Sequence, residues 1–121
     1  MLLVEDNPVV QLATKQQLEE FGCKIEVANT GEDAIMLMKK NHYNLVFMDV
    51  GLPDKNGTEV TLEIRAWEKQ HNRNTPIIAL TAHVDENNKQ YCFKVGMNDV
   101  VIKPLTYEKA QDILNTYPAR Y

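Results

Sequence analysis

The chain has 121 residues, 44% hydrophobic and 25% charged, which is enough for one domain with an ordinary core and too little for a second. Its formal net charge of −4 mixes both signs and its longest basic run is Lys39-Lys40, which argues against a nucleic-acid surface and for a protein partner. No apolar stretch reaches the ~18 residues of a membrane span and no charged-then-apolar leader precedes the first strand.

Met1 to Val4 is an apolar run with nothing before it, as in a domain trimmed from a longer chain, so membrane attachment of such a parent stays open. Asn7-Pro8 opens a helix in which Val10, Ala13, Leu18 and Phe21 share one face, with Gly22 closing it. Ile25 to Ala28 reads as a second strand, and Thr30 caps a helix that turns Ala34, Leu37 and Met38 inward. Leu45 to Met48 is the third strand. Gly57 to His71 follows as a helix with Val60, Ile64 and Trp67 on its inner stripe, so Trp67 reads as core. After the strand Ile77 to Leu80, the stretch Asp85 to Gly96 scatters Tyr91, Cys92, Phe93 and Val95 among Asn, Lys and Gln, a pattern that predicts a helix of low intrinsic stability. Val100 to Ile102 is the last strand, and Tyr107 to Tyr117 the last helix, with Ala110, Ile113, Leu114 and Tyr117 inward and Pro118 ending it.

Short, continuous, β-branched-rich runs suit strands covered on both faces, and their alternation with helices implies right-handed crossovers in a parallel sheet. A doubly wound α/β domain over residues 1–121 is the expectation, because no linker, low-complexity tract or fixed-period repeat divides the chain. Cys23 and Cys92 lack CxxC or Cys/His ligand spacing and read as free thiols of a reducing cytosol. The methionines read as packing, and His42 and His71 as loop or helix-end residues.

In such sheets ligands gather beyond the carboxyl ends of the strands. There the first strand ends in Glu5-Asp6, the third in Asp49, the fourth in Thr81-Ala82 and the fifth in Lys103-Pro104. Singly, each has an ordinary explanation: Asp6 or Thr81 could cap the following helix, and Lys103 could be solvated. Together they do not, since three carboxylates converging at ~5 Å repel by roughly 3 kcal/mol per pair at an effective dielectric near 20. Lys103 supplies one compensating charge, and a hard divalent cation with oxygen ligands, Mg²⁺, supplies the rest.

These residues resemble the receiver domain of two-component response regulators. The matching pieces are LLVEDN (Leu2 to Asn7), VFMDVGLPDKNG (Val46 to Gly57), IIALTA (Ile77 to Ala82) and GMNDVVIKPL (Gly96 to Leu105), in order over nearly the whole chain. The resemblance implies a flavodoxin-like five-stranded parallel sheet of order 2-1-3-4-5 with five helices. It implies Asp49 as acceptor of a phosphoryl group from a phosphohistidine, with Thr81 and Lys103 in the switching. Asp6 and Asp49 would bind Mg²⁺, or Mn²⁺ in its place, through side chains, Gly51 through its main-chain carbonyl and Glu5 through a metal-bound water. The Ala82 amide would approach the phosphoryl group, and the Lys103–Pro104 peptide would be cis. A histidine kinase or histidine phosphotransfer domain is the implied partner of a cytoplasmic monomer or weak dimer that binds neither nucleic acid nor membrane.

Many receivers carry an aromatic switch residue three positions before the lysine, where this chain has Val100. Receivers of hybrid histidine kinases often look like this. With no DNA-binding segment after Tyr121, a hybrid kinase or a single-domain regulator is the expected parent. His83, two residues beyond Thr81, stands where it could approach water attacking an aspartyl phosphate, or be an exposed loop histidine. On this reading the domain catalyses only its own phosphorylation and hydrolysis. Two other readings compete less well: a Mg²⁺-dependent phosphohydrolase with Asp49 as nucleophile, which would need a second acid that does not follow Asp49 (the next is Asp54, beyond Pro53), and an unphosphorylated pseudo-receiver used for protein contacts, a class that typically lacks the acceptor or metal acids present here.

Overall fold

The computed structural model describes residues 1–118; residues 119–121, Tyr121 among them, lie outside the described part. The elements run β1 (Leu2–Val4), α1 (Pro8–Glu19), β2 (Glu26–Ala28), α2 (Gly31–Lys40), β3 (Val46–Asp49), α3 (Gly57–His71), β4 (Ile77–Thr81), α4 (Glu86–Lys94), β5 (Asp99–Ile102) and α5 (Tyr107–Thr116). All strand pairs are parallel, in the order β2-β1-β3-β4-β5, as the resemblance implied.

The period-two alternation of a strand explains why these runs are apolar throughout. Leu2, Val4, Val46, Met48, Ile77 and Ala79 pack with α2 and α3 on one face, whereas Leu3, Phe47, Ile78 and Leu80 pack with Leu18 of α1 and Ala110 and Ile113 of α5 on the other. Each helix starts on a side-chain cap: Asn7, Thr30, Asn56, Asp85 and Thr106 all accept bonds from first-turn amides.

Two inner stripes differ from expectation. In α1 the buried position is Thr14, not Ala13, because Leu18 and Phe21 fix the inner face and the residue one turn before Leu18 is Thr14. In α3 the face of Val60 and Ile64 continues to Glu68, which is 1% exposed, while Trp67 sits half-buried at the flank, stacked on the His71 ring at 4.2 Å and under the Arg73 guanidinium at 4.9 Å. His42 Nε2 faces Arg73 Nη2 at 2.7 Å.

Helix α4 forms where the sequence reading places it and is little buried: of its residues only Cys92 is buried. Both cysteines are unpaired. Met38, Met48 and Met97 are core, while Met36 is half exposed. No helix among the described residues is long and apolar enough to cross a membrane.

Candidate functional site

Strand register brings the tips together. Val4 pairs with Met48, so Glu5 and Asp49 stand level one residue on, and Asp49 itself pairs with Leu80. Leu80 pairs with Val101 and Thr81 with Ile102, which leaves Lys103 two residues beyond the level of Asp49. A four-carbon stem spans that offset: Lys103 Nζ lies 3.0 Å from Asp49 Oδ1 and 3.2 Å from Glu5 Oε1. The Lys103–Pro104 peptide is cis, and the Lys103 amide donates to the Thr81 carbonyl at 2.7 Å.

Carboxylate oxygens of Glu5, Asp6 and Asp49 lie within 4.8 Å of one another. Glu5 and Asp49 are buried, at 1% and 3% exposure, and Asp6 is open to solvent. Asp6 makes none of the described hydrogen bonds, because Asn7 is the cap of α1 and accepts from the Val9 and Val10 amides. Thr81 is not a cap either, since Asp85 fills that place for α4; the Thr81 hydroxyl donates instead to the His83 carbonyl at 2.9 Å. The capping explanations for Asp6 and Thr81 therefore fail, and both side chains stay available at the sheet's edge.

Electrostatics at the cluster follow from burial and proximity. Burial, with the hydrogen bond to Asp49, pushes the Glu5 carboxyl up to about 7. Burial also works to raise Asp49, but the bonds from Glu5, the Gly51 amide and Lys103 outweigh it and hold Asp49 below the ordinary aspartate value. Burial works to lower Lys103, and the two carboxylates overcome it and raise it. Near neutral pH the cluster therefore contains an ionised Asp49, a protonated Lys103 and a Glu5 that titrates in that range.

Such an all-oxygen donor set fits a hard divalent cation and not a soft one. The Gly51 amide donates to Asp49 Oδ1 at 3.0 Å, while the Gly51 carbonyl accepts none of the described hydrogen bonds and is free to ligate. Lys103 and Gly51 both engage Oδ1, and no described hydrogen bond is made to Asp49 Oδ2. A Cβ at Gly51 would meet only Asp49 Oδ1, at 3.9 Å, so glycine is not sterically required there. At Gly57 it is: a Cβ would lie 2.3 Å from the Asp49 carbonyl oxygen, so α3 starts directly against the end of β3.

The remaining candidates lie on the β4–α4 side. Ala82 is exposed and its amide makes no described hydrogen bond. His83 is exposed as well, with Nε2 3.5 Å from Asp85 Oδ2. Val100 is half-buried and lines, with Val50, Thr58, Thr81, Val84 and Cys92, a groove of about 400 Å³ beside α4.

Sequence reasoning missed two arrangements, one beside the site and one at the opposite end of the sheet. Asp54, the next acid after Asp49, accepts from the first amides of α2, so it is not free to act as a general acid. Arg65, on α3, bonds the Gly96 and Thr75 carbonyls, Asn98 and the buried Glu68. The i, i+3 spacing of Arg65 and Glu68 was the available signal for the second.

A family model described as the response regulator receiver domain matches residues 1–115. Sensor protein GacS of Pseudomonas syringae pv. syringae is 34% identical over 115 residues, covering 94% of this chain and 13% of that protein. The receiver domain of sensor histidine kinase PA1611 from Pseudomonas aeruginosa PAO1, solved with a magnesium ion coordinated in its active-site cleft, is similar at a TM-score of 0.85 and 36% identity over 96% of this chain and 93% of that one. The co-crystal of the Saccharomyces cerevisiae histidine phosphotransfer protein Ypd1 with the receiver domain of Ssk1 gives 0.90 and 28%, over 96% and 86% of the two chains. The chain spans less than a fifth of the length of the curated relatives it matches, from 5% to 18%.

Proposed function

The chain belongs to the response regulator receiver domain family, and on that premise we propose that Asp49 accepts a phosphoryl group from a phosphohistidine of a partner protein. The observation that carries this reading is the position of Lys103 Nζ between Glu5 and Asp49, which binds one oxygen of Asp49, while no described hydrogen bond is made to the other. In the transfer, Asp49 Oδ2 attacks phosphorus, the phosphorus–nitrogen bond to the donor imidazole breaks, and the imidazole leaves with the bonding pair. A carboxylate is a weak nucleophile, so rate comes from alignment and from neutralising charge on the equatorial oxygens.

Each residue has a part in that work. Lys103 holds one equatorial oxygen, and Asp49 stays ionised at neutral pH because Lys103 and the Gly51 amide favour its anion. Asp6, Asp49, the Gly51 carbonyl and, through water, Glu5 are the groups that would hold Mg²⁺, with Mn²⁺ as a substitute. The bound cation would supply positive charge for the phosphoryl oxygens. Once phosphorylated, the Asp49 side chain carries nearly two negative charges in place of one, with new acceptor oxygens, which would draw in the Thr81 hydroxyl and the Ala82 amide and shift the β4–α4 loop.

The partner is a histidine kinase or histidine phosphotransfer domain, a reading supported by the likeness to the receiver of the Ypd1 complex. The domain comprises residues 1–121 and works in the cytoplasm, and relatives such as GacS support a hybrid histidine kinase as its parent. Incubation with Mg²⁺ and acetyl phosphate tests the assignment. A base-labile adduct of one phosphoryl mass is expected on the wild type and none on Asp49→Asn; an adduct that survives in Asp49→Asn, or turnover of free phosphoesters, would overturn it.

A further inference from the structure

Between Val50 and Asn56 the chain has no helix or strand, yet this is the segment that carries the Gly51 carbonyl. Its anchors are distant in sequence. Asp54 Oδ1 accepts from the Gly31 amide at 2.9 Å and Oδ2 from the Glu32 amide at 3.1 Å, the first two amides of α2. Beside it, Lys55 Nζ bridges Glu32 of α2 at 2.9 Å and Glu63 of α3 at 2.7 Å.

Helix α2 does not need Asp54 in order to begin. It has its own cap, Thr30, whose hydroxyl accepts from the Asp33 amide at 3.1 Å. The close approach is built into the helix instead: a Cβ on Gly31 would fall 2.6 Å from Val60 Cγ2 and 3.4 Å from Asp54 Oδ1, so a side chain there would press on the helix and loop that α2 receives. The link from Asp54 back to Gly51 is short and stiff, because Leu52 is buried at 8% exposure and Pro53 has a fixed φ. The amide bonds, that of Gly31 foremost, hold the Asp54 carboxyl below the ordinary aspartate value, as expected of an anion seated on a helix amino end.

We infer that Asp54 is a positioning residue for the cation site: by seating the β3–α3 loop on the amino end of α2, it sets where the Gly51 carbonyl stands relative to Asp49. It touches neither the cation nor the phosphoryl group and acts through the two residues between it and Gly51, Leu52 and Pro53. The inference rests on the receiver reading and on Gly51 as a ligand.

The test is Mg²⁺ titration of the 121-residue chain, followed by the amide resonances of Gly51 and Gly57, for wild type, Asp54→Ala, Asp54→Asn and Glu59→Gln. Loss of a group that orients a ligand weakens metal binding by about tenfold, which is the expectation for Asp54→Ala. Asp54→Asn keeps one acceptor oxygen without the charge and should recover most of the affinity, to within about threefold of wild type. Glu59→Gln removes an equal charge from the exposed first turn of α3 and should leave affinity unchanged. At saturating Mg²⁺ the Asp54→Ala chain should take phosphoryl from acetyl phosphate at the wild-type rate, a rescue that general misfolding would not give.

Equal affinity in Asp54→Ala and wild type overturns the inference, and so does equal loss in Asp54→Ala and Asp54→Asn, which would assign the effect to charge alone. If Asp54→Ala does not fold, Asp54→Asn decides: a weakening of up to about threefold at unchanged melting temperature, with Glu59→Gln unaffected, supports the inference, whereas wild-type affinity or a loss of about tenfold overturns it. A wild-type chain that ignores Mg²⁺ overturns the receiver reading and this inference together, whereas wild-type binding with an indifferent Asp54→Ala removes this inference alone.

Discussion

The loop that follows β3 and the loop that follows β4 flank the same carboxylate but are anchored differently. After β3, the Val50 amide bonds Leu80, the Gly57 amide bonds Val50, and Asp54 and Lys55 tie the segment to α2 and α3. After β4, the described side-chain bonds stay within the segment: Thr81 pairs with His83, and Asp85 with Asn88. Helix α4, which this loop enters, buries only Cys92 and is fixed at its far end, where Arg65 takes the Gly96 carbonyl. On the proposed function, one side of Asp49 would hold ligands still and the other would move when charge arrives. A local opening is cheapest where buried contacts are fewest, which places the responsive element at the amino end of α4.

Removing Lys103 should break the held side most severely. Lys103→Met is expected to slow phosphorylation by about 10²-fold or more, as for loss of a group that stabilises transition-state charge. Mg²⁺ affinity should persist or rise, because Glu5 and Asp49 lose a competing cation. A time course by intact mass, beside a Mg²⁺ titration, reads both.

Stability should separate the two sides next. Ile64→Ala on α3 truncates a side chain that is 1% exposed and should cost about 3 kcal/mol in denaturant unfolding. Tyr91→Ala on α4 removes a side chain that is half exposed and should cost under about 1 kcal/mol. Equal losses would show that α4 is as firmly held as α3.

pH gives a smaller effect with a definite sign. The folded chain holds a proton on Glu5 up to about 7, whereas the unfolded chain loses it near 4.5. Between those values the native state binds more protons than the unfolded one, so stability falls as pH rises through the window and the loss is complete above it. Asp49, displaced in the opposite direction, adds its pH dependence only below its ordinary value of 3.8. Without Mg²⁺, melting temperature should drop by a few degrees from about pH 5 to about pH 8, and saturating Mg²⁺ should reverse the trend.

Least is expected of His83. Its ring is open to solvent and pairs with Asp85, so His83→Ala should change hydrolysis of the aspartyl phosphate by no more than about twofold, against the ~10²-fold of a general base. A larger change would mean that the ring leaves Asp85 for the phosphoryl group.

The strands and the acids at their tips were legible because a buried parallel strand must be an apolar run, and a polar residue at its end stands out; the order of the strands came only from the resemblance. What was not legible has one physical source. At Thr14 and Glu68 a polar residue occupies the inner angle of a helix while its apolar neighbour, Ala13 or Trp67, lies beside it. The sequence reading ranked hydrophobicity above angle and chose the neighbour. Asp54 escaped for a related reason: its partners are main-chain amides more than twenty positions away, and no side-chain pattern encodes them.

The bond between Lys103 and Glu5 closes a span of 98 positions. A ribosome delivers the amino end first, so all three acids have emerged and can pair through β1 and β3 well before the lysine leaves the exit tunnel. A nascent chain therefore passes through an interval in which its negative charges are assembled and their internal counter-ion is not. On the proposed function, chemistry at Asp49 would wait until β5 has been made, and fragments that stop short of β5 should take up no phosphoryl group.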